Sequence, residues 1–135
     1  MNFVEIFHEN YSYFLNGINY KVINVGEICD KVAILINDNI SFEKFGESNL
    51  KVVVERKISF NPNVVYELSV SFGAILTFKS ETNIIENIDL KKEFVSDANG
   101  SIIIQGLLSR ISLQIAQITS SFGQNPIVTP PNLMN

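Results

Sequence analysis

The sequence predicts an α+β protein in which a β-rich N-terminal part precedes one long apolar helix. Between residues 101 and 122, apolar side chains recur at spacings of three and four, which is the period of one helix face. Residues 18–37, 50–60 and 64–78 are instead rich in Ile, Val and Phe, as strands are. Asn61-Pro62-Asn63 separates the last two runs, and a turn of this kind between β-rich runs predicts an antiparallel hairpin.

The predicted helix has two different faces. Its apolar face comprises Ile104, Leu107, Leu108, Ile111, Ile115, Ile118 and Phe122. The second face of the helix is made of small residues, and Arg110 is the one charged residue of the whole helix. Asn99, Gly100 and Ser101 supply start signals and Gly123 a stop signal. Because a helix that covers one side of a monomer shows charge to water, we expect this helix to be covered by its own sheet and by another subunit. The predicted subunit contact comprises Ile102, Ser109, Ser112, Leu113, Ala116 and Ser120.

Composition and charge exclude several classes of protein. The chain has 135 residues, which is enough for one domain with a substantial hydrophobic core. Hydrophobic residues make up 46% and charged residues 18%, so the chain is apolar for its size and we expect surface buried against partners. The net charge of −4 comes without a basic cluster, and a nucleic-acid partner is therefore not expected.

The sequence also indicates a compartment. The one cysteine, Cys29, excludes an internal disulfide and fits a reducing environment. The N-terminal region carries Glu5 and Glu9 and lacks the basic segment that begins a secretory signal. No uninterrupted apolar run reaches the roughly 18 residues of a membrane helix. We therefore expect a cytoplasmic protein without membrane insertion.

Local patterns divide the single predicted domain into four parts. Residues 1–17 form an N-terminal extension with a short helix, whose stripe is Val4, Phe7, Tyr11, Phe14 and Leu15 and whose stop or turn is Asn16-Gly17. Residues 18–80 form the sheet, 81–122 the helical region and 123–135 an extended, proline-containing tail. We expect the tail to be packed through Ile127, Val128 and Leu133, although a frayed terminus is the alternative.

Inside the sheet region, several irregularities are predicted. Residues 18–37 are one long strand, or two strands separated near Gly26 or Asp30. Asn37-Asp38-Asn39 marks a turn, and residues 40–49 look like a connection. The alternation of residues 50–60 slips between Val54 and Arg56, and the apolar parity of residues 64–78 shifts after Gly73. A β-bulge would explain each change, and a bend would also explain the second.

No catalytic or metal-binding signature is present in the sequence. His8 is the only histidine and has no Cys, Asp or Glu at metal-ligand spacing, so a structural role is favoured. The acids at 81–97 lie among polar neighbours, as on a solvated face. There is no nucleophile elbow, glycine-rich phosphate loop or Cys/His cluster. We expect neither an enzyme nor a cofactor.

The order of elements resembles the export chaperone SecB and the shorter SecB-like proteins. The resemblance is carried by the helix at 99–122, by Gly123-Gln124-Asn125-Pro126, and by Thr129-Pro130-Pro131-Asn132-Leu133. These look like the family's helix end, its Gly-x-x-Pro step and its small apolar loop. The segment Tyr66-Glu67-Leu68-Ser69-Val70 is similar to the family's third strand region.

The resemblance implies a fold, an assembly and an activity. The fold is a four-stranded antiparallel sheet with the long helix on one face, and the assembly is a homodimer or homotetramer. The activity is to hold unfolded polypeptide clients in apolar grooves without ATP, for protein export or for a dedicated partner such as a toxin–antitoxin pair. Two features depart from the family. No separate fourth strand is visible, and the chain ends at Asn135 without a second C-terminal helix, so docking to a translocation ATPase is doubtful.

Aromatic side chains are the candidates for such a groove. The candidate client-binding residues are Phe60, Tyr66, Phe72, Phe78, Phe122, Ile127 and Val128. Each aromatic residue among them is also a candidate for the ordinary core. The alternative function is an assembly protein whose apolar helix face makes a permanent oligomer with no client.

Overall fold

The computed structural model describes residues 2–24, 31–79, 89–123 and 125–134, with the main chain alone at position 45. One antiparallel sheet contains β1 (Ser12–Asn24), β2 (Ala33–Phe45), β3 (Asn49–Asn61) and β4 (Val65–Thr77). A short helix, α1 (Phe3–Ile6), precedes the sheet, and α2 (Leu90–Ser96) and α3 (Ala98–Ser120) follow it. The predicted fold class, a four-stranded antiparallel sheet with a long C-terminal helix, is confirmed.

The fourth strand is explained by the segment at 18–37, which was predicted as one strand or two and which contributes to both β1 and β2. The strand order across the sheet is β1-β4-β3-β2, so β1 and β2 are consecutive in the chain but lie at opposite edges. Gly26 and Asp30, the predicted points of separation, lie outside the described residues. Residues 64–79 contribute one strand, as their pattern indicates.

Several local predictions at the strand ends are wrong, because strand pairing overrides local propensity. Residues 12–15 begin β1 rather than ending a helix, since Ser12 to Leu15 pair with Ile75 to Phe72 of β4. The N-terminal extension is therefore shorter than 1–17. Asn16-Gly17 is a register shift inside β1 rather than a stop.

The predicted turn at Asn37-Asp38-Asn39 and the predicted connection at 40–49 are also wrong. Both segments belong largely to β2, which pairs with β3 without interruption from Ala33 to Phe45. The turn between these strands falls at residues 46–48, where Gly46 has a φ of 61°.

Neither of the two predicted bulges exists. The β3–β4 register is continuous from the Asn49–Thr77 pair to the Ile58–Leu68 pair. The alternation of apolar and polar residues is interrupted at Arg56 because this arginine occupies a buried position of the sheet. Gly73 keeps the register too, and a Cβ there would collide with the ring of Phe14, so the glycine makes room for a cross-strand aromatic contact.

The core lies between α3 and one face of the sheet. Even-numbered residues of β3 and β4 form that face, including Val52, Val54, Leu68 and Val70, each fully buried. The predicted apolar stripe of α3 supplies the other side, and its first five members are buried, namely Ile104, Leu107, Leu108, Ile111 and Ile115. Ile118 is partly buried against the core, and Phe122 is 39% exposed.

α3 begins three residues before the predicted start. Its N-cap is Asp97, whose carboxylate accepts from the backbone amides of Asn99 and Gly100, so an acidic cap leads the helix. Gly123 has a φ of 80°, in keeping with its predicted role as the stop. By length and composition α3 is apolar enough to span a membrane, although it contains no uninterrupted apolar run of that length. Its buried side against the sheet accounts for much of that apolar content.

Candidate polypeptide-binding cleft

The C-terminal tail, residues 125–134, packs along the protein between α3 and β2. The backbone amide of Ile127 donates to the hydroxyl of Thr119 on α3, at 2.8 Å. The amide of Asp38 on edge strand β2 donates to the carbonyl of Met134, at 3.1 Å. Ile127 and Leu133 pack against the core, whereas Val128 is 79% exposed. The tail is therefore ordered by contacts with the rest of the fold, through two of its three predicted apolar anchors.

A buried ion pair holds this tail in place. Arg56 of β3 and Asp38 of β2 are cross-strand partners with fully buried side chains. Their contact is bidentate, with Nε to Oδ1 and Nη2 to Oδ2 both at 2.7 Å. Because a buried guanidinium needs all its donors satisfied, the acceptors around it define its surroundings. They come from the tail and from α3.

Three tail residues accept from Arg56. Nη1 donates to the Thr129 hydroxyl at 2.9 Å and to the Pro130 carbonyl at 2.6 Å, and Nη2 donates to the Asn132 carbonyl at 2.6 Å. Ser112 of α3 joins the network, with its Oγ 3.3 Å from Nη1 and 2.9 Å from Thr129 Oγ1. Arg56 thus connects the sheet, the helix and the tail.

An apolar cleft opens where the tail leaves α3. It has a volume of about 380 Å³ and lies where β2 begins, β3 ends and β4 begins. It is lined by side chains from this end of the sheet, from the end of α3 and from the tail, namely Val32, Ile34, Phe60, Val65, Tyr66, Thr119, Phe122, Asn125 and Ile127. We call this cavity the cleft.

Aromatic rings form one wall of the cleft. Tyr66 is in ring contact with Phe60 at 5.0 Å and with Phe122 at 5.4 Å between centroids. Tyr20 of β1 extends the cluster, 5.3 Å from Phe122 and 5.5 Å from Tyr66. Burial, and then the nearby Tyr20, raise the pKa of the Tyr66 hydroxyl, so this wall stays uncharged at neutral pH.

The structure brings four of the seven predicted groove residues to the cleft: Phe60, Tyr66, Phe122 and Ile127. The other three lie elsewhere. Phe72 packs against the core in the middle of β4, and Phe78 is buried against Phe7 with ring centroids 5.1 Å apart. Val128 does not line the cleft, because neighbouring residues of an extended tail point in different directions. Sequence reasoning missed Val32 and Ile34, since the start of β2 is not marked in the sequence.

The predicted subunit contact is only partly available on the surface of this chain. Ile102 and Leu113 are 58% and 61% exposed, and Ser109 and Ser120 are exposed beside them. Ala116 is half-buried, as is Ser112. Ser112 also belongs to the Arg56 network inside the chain, so its place in a subunit contact is not supported by its surroundings.

A second exposed apolar strip lies on β1 and was missed at the sequence level. It contains Leu15, Ile18, Tyr20 and Val22, which are between 44% and 50% exposed. Their partners on β4 belong to the helix-facing side, where Tyr66, Leu68 and Val70 are buried and Phe72 is half-buried, so the strip lies on the same side of the sheet as α3. α3 packs over β4 and β3 and leaves β1 half-open. We call this strip, together with Leu113, the β1–α3 surface.

Among the described residues, no group of three or more His, Cys, Asp or Glu side chains is placed to hold a metal ion. His8 is exposed, and its backbone amide donates to the Thr77 carbonyl at 2.9 Å. Cys29 lies outside the described residues. A larger cavity of about 440 Å³ is lined by Phe14, Glu43, Lys51 and Ile75, and half of these side chains are charged. Among its described lining residues the cleft, unlike that cavity, has no charged side chain.

The sequence matches no protein-family model and no curated protein. Comparison of the fold with solved structures finds the Mycobacterium tuberculosis SecB-like chaperone Rv1957, in complex with a ChAD peptide from the HigA1 antitoxin Rv1956. The match covers 90% of this chain and 84% of that chain, with a TM-score of 0.62 and 11% sequence identity. This chain has the SecB-like fold.

The resemblance noted in the sequence is thus confirmed at the level of the fold. At 11% identity the match concerns the arrangement of strands and helices, and it carries no residue-by-residue equivalence. The chemistry of the site has to be argued from the side chains of this chain.

Proposed function

We propose that this protein is a molecular chaperone that holds non-native polypeptide segments in the cleft without ATP. The observation that carries the proposal is the lining of the cleft, where Phe60, Tyr66 and Phe122 meet aliphatic residues of β2 and the tail. Such a surface offers burial of apolar side chains and little directional chemistry. A site of this kind selects for exposed apolar segments rather than for a particular sequence.

The structural comparison supports the same class of function. A solved structure that shares the fold is described as a SecB-like chaperone in complex with a peptide. A polypeptide client is therefore the first ligand to test here. The cleft volume of about 380 Å³ accommodates one or two large apolar side chains rather than a folded partner.

Backbone pairing is a second source of affinity in this proposal. β2 is an edge strand of the sheet, and Ile34 near its start lines the cleft. An extended client that adds to this edge obtains main-chain hydrogen bonds while its side chains enter the cleft. Further along β2 the same edge is covered by the tail, because Met134 bonds to Asp38.

The second candidate within this class is a chaperone dedicated to one partner, such as a toxin–antitoxin pair. It is favoured by the peptide in the comparison structure, which comes from an antitoxin. General service to protein export is the other possibility within the class, and the fold is common to both. The two differ in client range.

We also propose that the protein works as an oligomer, a dimer or a tetramer, assembled through the β1–α3 surface. The half-exposed apolar side chains of β1 lie on the same side of the sheet as α3, on which Ile102 and Leu113 are exposed members of the predicted subunit contact. Covering such a surface removes apolar area from water, at about 25 cal/mol per Å². An assembly protein with no client would use the same surface but leave the cleft without a role.

Suppression of aggregation tests the proposal. A slow-folding polypeptide is diluted from denaturant, and light scattering is followed with and without this protein. We expect suppression at near-stoichiometric amounts, without nucleotide, and no binding of the same polypeptide after it has folded. Failure with several unrelated polypeptides excludes a general holdase. A pull-down from the native cells then distinguishes the two remaining cases, because a dedicated chaperone repeatedly brings down one polypeptide and an assembly protein does not.

A further inference from the structure

The buried ion pair of Arg56 and Asp38 holds the tail by hydrogen bonds to the main chain of the tail. Arg56 donates to the carbonyls of Pro130 and Asn132, and the Asp38 carboxylate accepts from the amide of Met134 at 2.7 Å. Only Thr129 contributes a side chain, and its hydroxyl is buried with Arg56. The pair therefore holds residues 129–134 mainly through their main chain, in addition to the contacts of Ile127 and Leu133 with the rest of the fold.

The same tail forms one wall of the cleft. Asn125 and Ile127 line the cavity, and they precede the anchored residues by only a few positions. Pro126 lies between the two lining residues, and Pro130 and Pro131 lie within the anchored segment, so the main chain is restricted at both places, since proline fixes φ near −65°. A short stiff connection transmits the position of its anchored end to its other end. We therefore expect movement at Asn132 to displace Ile127, whose amide is bonded to the Thr119 hydroxyl of α3.

We propose that Arg56, oriented by Asp38, is the positioning residue of the cleft. It touches no client. It holds the tail so that Ile127 lines the cleft together with Phe60 and Tyr66, and it thereby sets the affinity for apolar segments. This inference rests on the chaperone function proposed above, and the experiment below separates the failure of one from the failure of the other.

A double substitution releases the tail without leaving a buried charge. Asp38→Leu with Arg56→Met removes both charges together and keeps the apolar volume of the two positions. Replacing a buried ion pair by packed apolar residues is often neutral for folding, whereas removing one partner alone is not. In the double variant the carbonyls of Pro130 and Asn132 lose their donor, while the sheet keeps its register.

A matched control lies on the same two strands. Glu43 of β2 and Lys51 of β3 are also cross-strand partners, with Nζ and Oε2 3.3 Å apart. Both are partly exposed, and neither lines the cleft nor touches the tail. Glu43→Gln with Lys51→Gln removes an ion pair from the same strand pair and is expected to leave binding unchanged.

Two measurements are made on the full chain. Hydrogen exchange reports the amides of Ile127 and Met134, which are bonded to Thr119 and Asp38 in the native protein. Affinity is measured for a reduced and alkylated, permanently unfolded polypeptide. In the double variant we expect both amides to lose protection and affinity to fall by about tenfold. The circular dichroism of the sheet and helix is expected to stay unchanged.

A covalent rescue shows whether tail position is the cause. The hydroxyls of Ser112 and Thr129 are 2.9 Å apart, so Ser112→Cys and Thr129→Cys place two thiols within bonding reach. These changes are added to the double variant with Cys29→Ser. Oxidation is expected to restore affinity, and reduction to return it to the lower value of the double variant.

Each contrary result has a distinct meaning. If the unaltered protein binds no unfolded polypeptide, the proposed function fails. If it binds, and the double variant loses tail protection but keeps or gains affinity, the positioning role is wrong and the function stands. Persisting protection of both tail amides in the double variant, or oxidation that restores no affinity, also overturns the positioning role.

Discussion

Arg110 and Tyr13 join the long helix to edge strand β1. The guanidinium carbon of Arg110 lies 3.8 Å from the centre of the Tyr13 ring, a cation–π contact. Arg110 also donates to the carbonyl of Gly106, one turn earlier in α3, at 3.1 Å. The only charged residue of the helix is therefore used to hold β1 beside it, rather than to solvate an exposed face.

The Tyr13 hydroxyl makes stability fall at alkaline pH. Burial raises its pKa to about 12 from 10.0, with Tyr11 adding to the rise and Arg110 opposing it. A tyrosine whose pKa is higher in the folded state contributes stability that is complete below pH 10 and is lost as pH rises towards 12. Tyr66, whose pKa is also raised, acts in the same direction.

Urea unfolding across this pH range checks the contribution of Tyr13. We expect Tyr13→Phe to flatten the alkaline decrease in unfolding free energy. Tyr66→Phe provides the comparison, since it removes the other raised hydroxyl. An alkaline decrease that is identical in the Tyr13→Phe variant and the native protein would contradict the assignment.

Gly106 lies where α3 passes close to Tyr13. A Cβ at this position would collide with the Tyr13 hydroxyl and lie 2.9 Å from Cζ. Alanine in a helix interior is favoured over glycine by about 1 kcal/mol, but overpacking costs about 1–3 kcal/mol. We expect Gly106→Ala to lower the free energy of unfolding, and Tyr13→Phe to recover part of the loss. Ser109→Ala, at an exposed position of the same helix, is the control and should change stability little.

Substitutions of Phe122 and Val128 distinguish binding in the cleft from binding elsewhere on the apolar surface. Both are exposed apolar residues near the C-terminus, but only Phe122 lines the cleft. We expect Phe122→Asp to weaken binding of an unfolded polypeptide by about tenfold, or about 1.4 kcal/mol, because a charge enters an apolar site. Val128→Asp adds the same charge to the tail and should leave affinity unchanged. Equal losses in both variants would argue against the cleft as the binding site.

Removal of one member of the buried ion pair should be far more costly than removal of both. Arg56→Met leaves the carboxylate of Asp38 buried without its partner, so we expect a loss of about 3–5 kcal/mol in unfolding free energy. Adding Asp38→Leu should recover most of this loss. Denaturant unfolding of the two single variants and the double variant gives the coupling energy. Additive effects would show that the two side chains do not act as a pair.

Arginine substitutions on the β1–α3 surface should prevent association. Leu113→Arg and Ile18→Arg each place a charge in an exposed apolar region, and we expect sedimentation velocity to show monomers at micromolar concentration. Asn19→Arg adds the same charge on the other face of β1 and is the control. Ser112→Arg should instead destabilise the fold, because the new charge lies beside Arg56. A native protein that is already monomeric would contradict the proposed assembly.

The sequence by itself determined the helix and the central hairpin. Apolar residues at spacings of three and four along α3 indicate that one helix face is buried. Asn61-Pro62-Asn63 indicates the connection between β3 and β4. These are local signals, so neighbouring residues are sufficient to read them. The composition of the cleft was also partly visible, since Phe60, Tyr66, Phe122 and Ile127 were recognised by type.

Only the tertiary structure decided what the polar and irregular residues do. In the sequence, Asp38 resembles a turn residue and Arg56 resembles a break in a strand. Each residue is explained by its ion-pair partner, which lies 18 positions away and so outside any local pattern. Their pairing, and its grip on a tail more than seventy residues from Arg56, depend on contacts across the sheet. Likewise, β1 leaves its apolar side half-exposed because it pairs at the edge beside β4, while α3 packs mainly over β4 and β3. Long-range pairing of this kind has no period in the sequence, and so no local pattern reveals it.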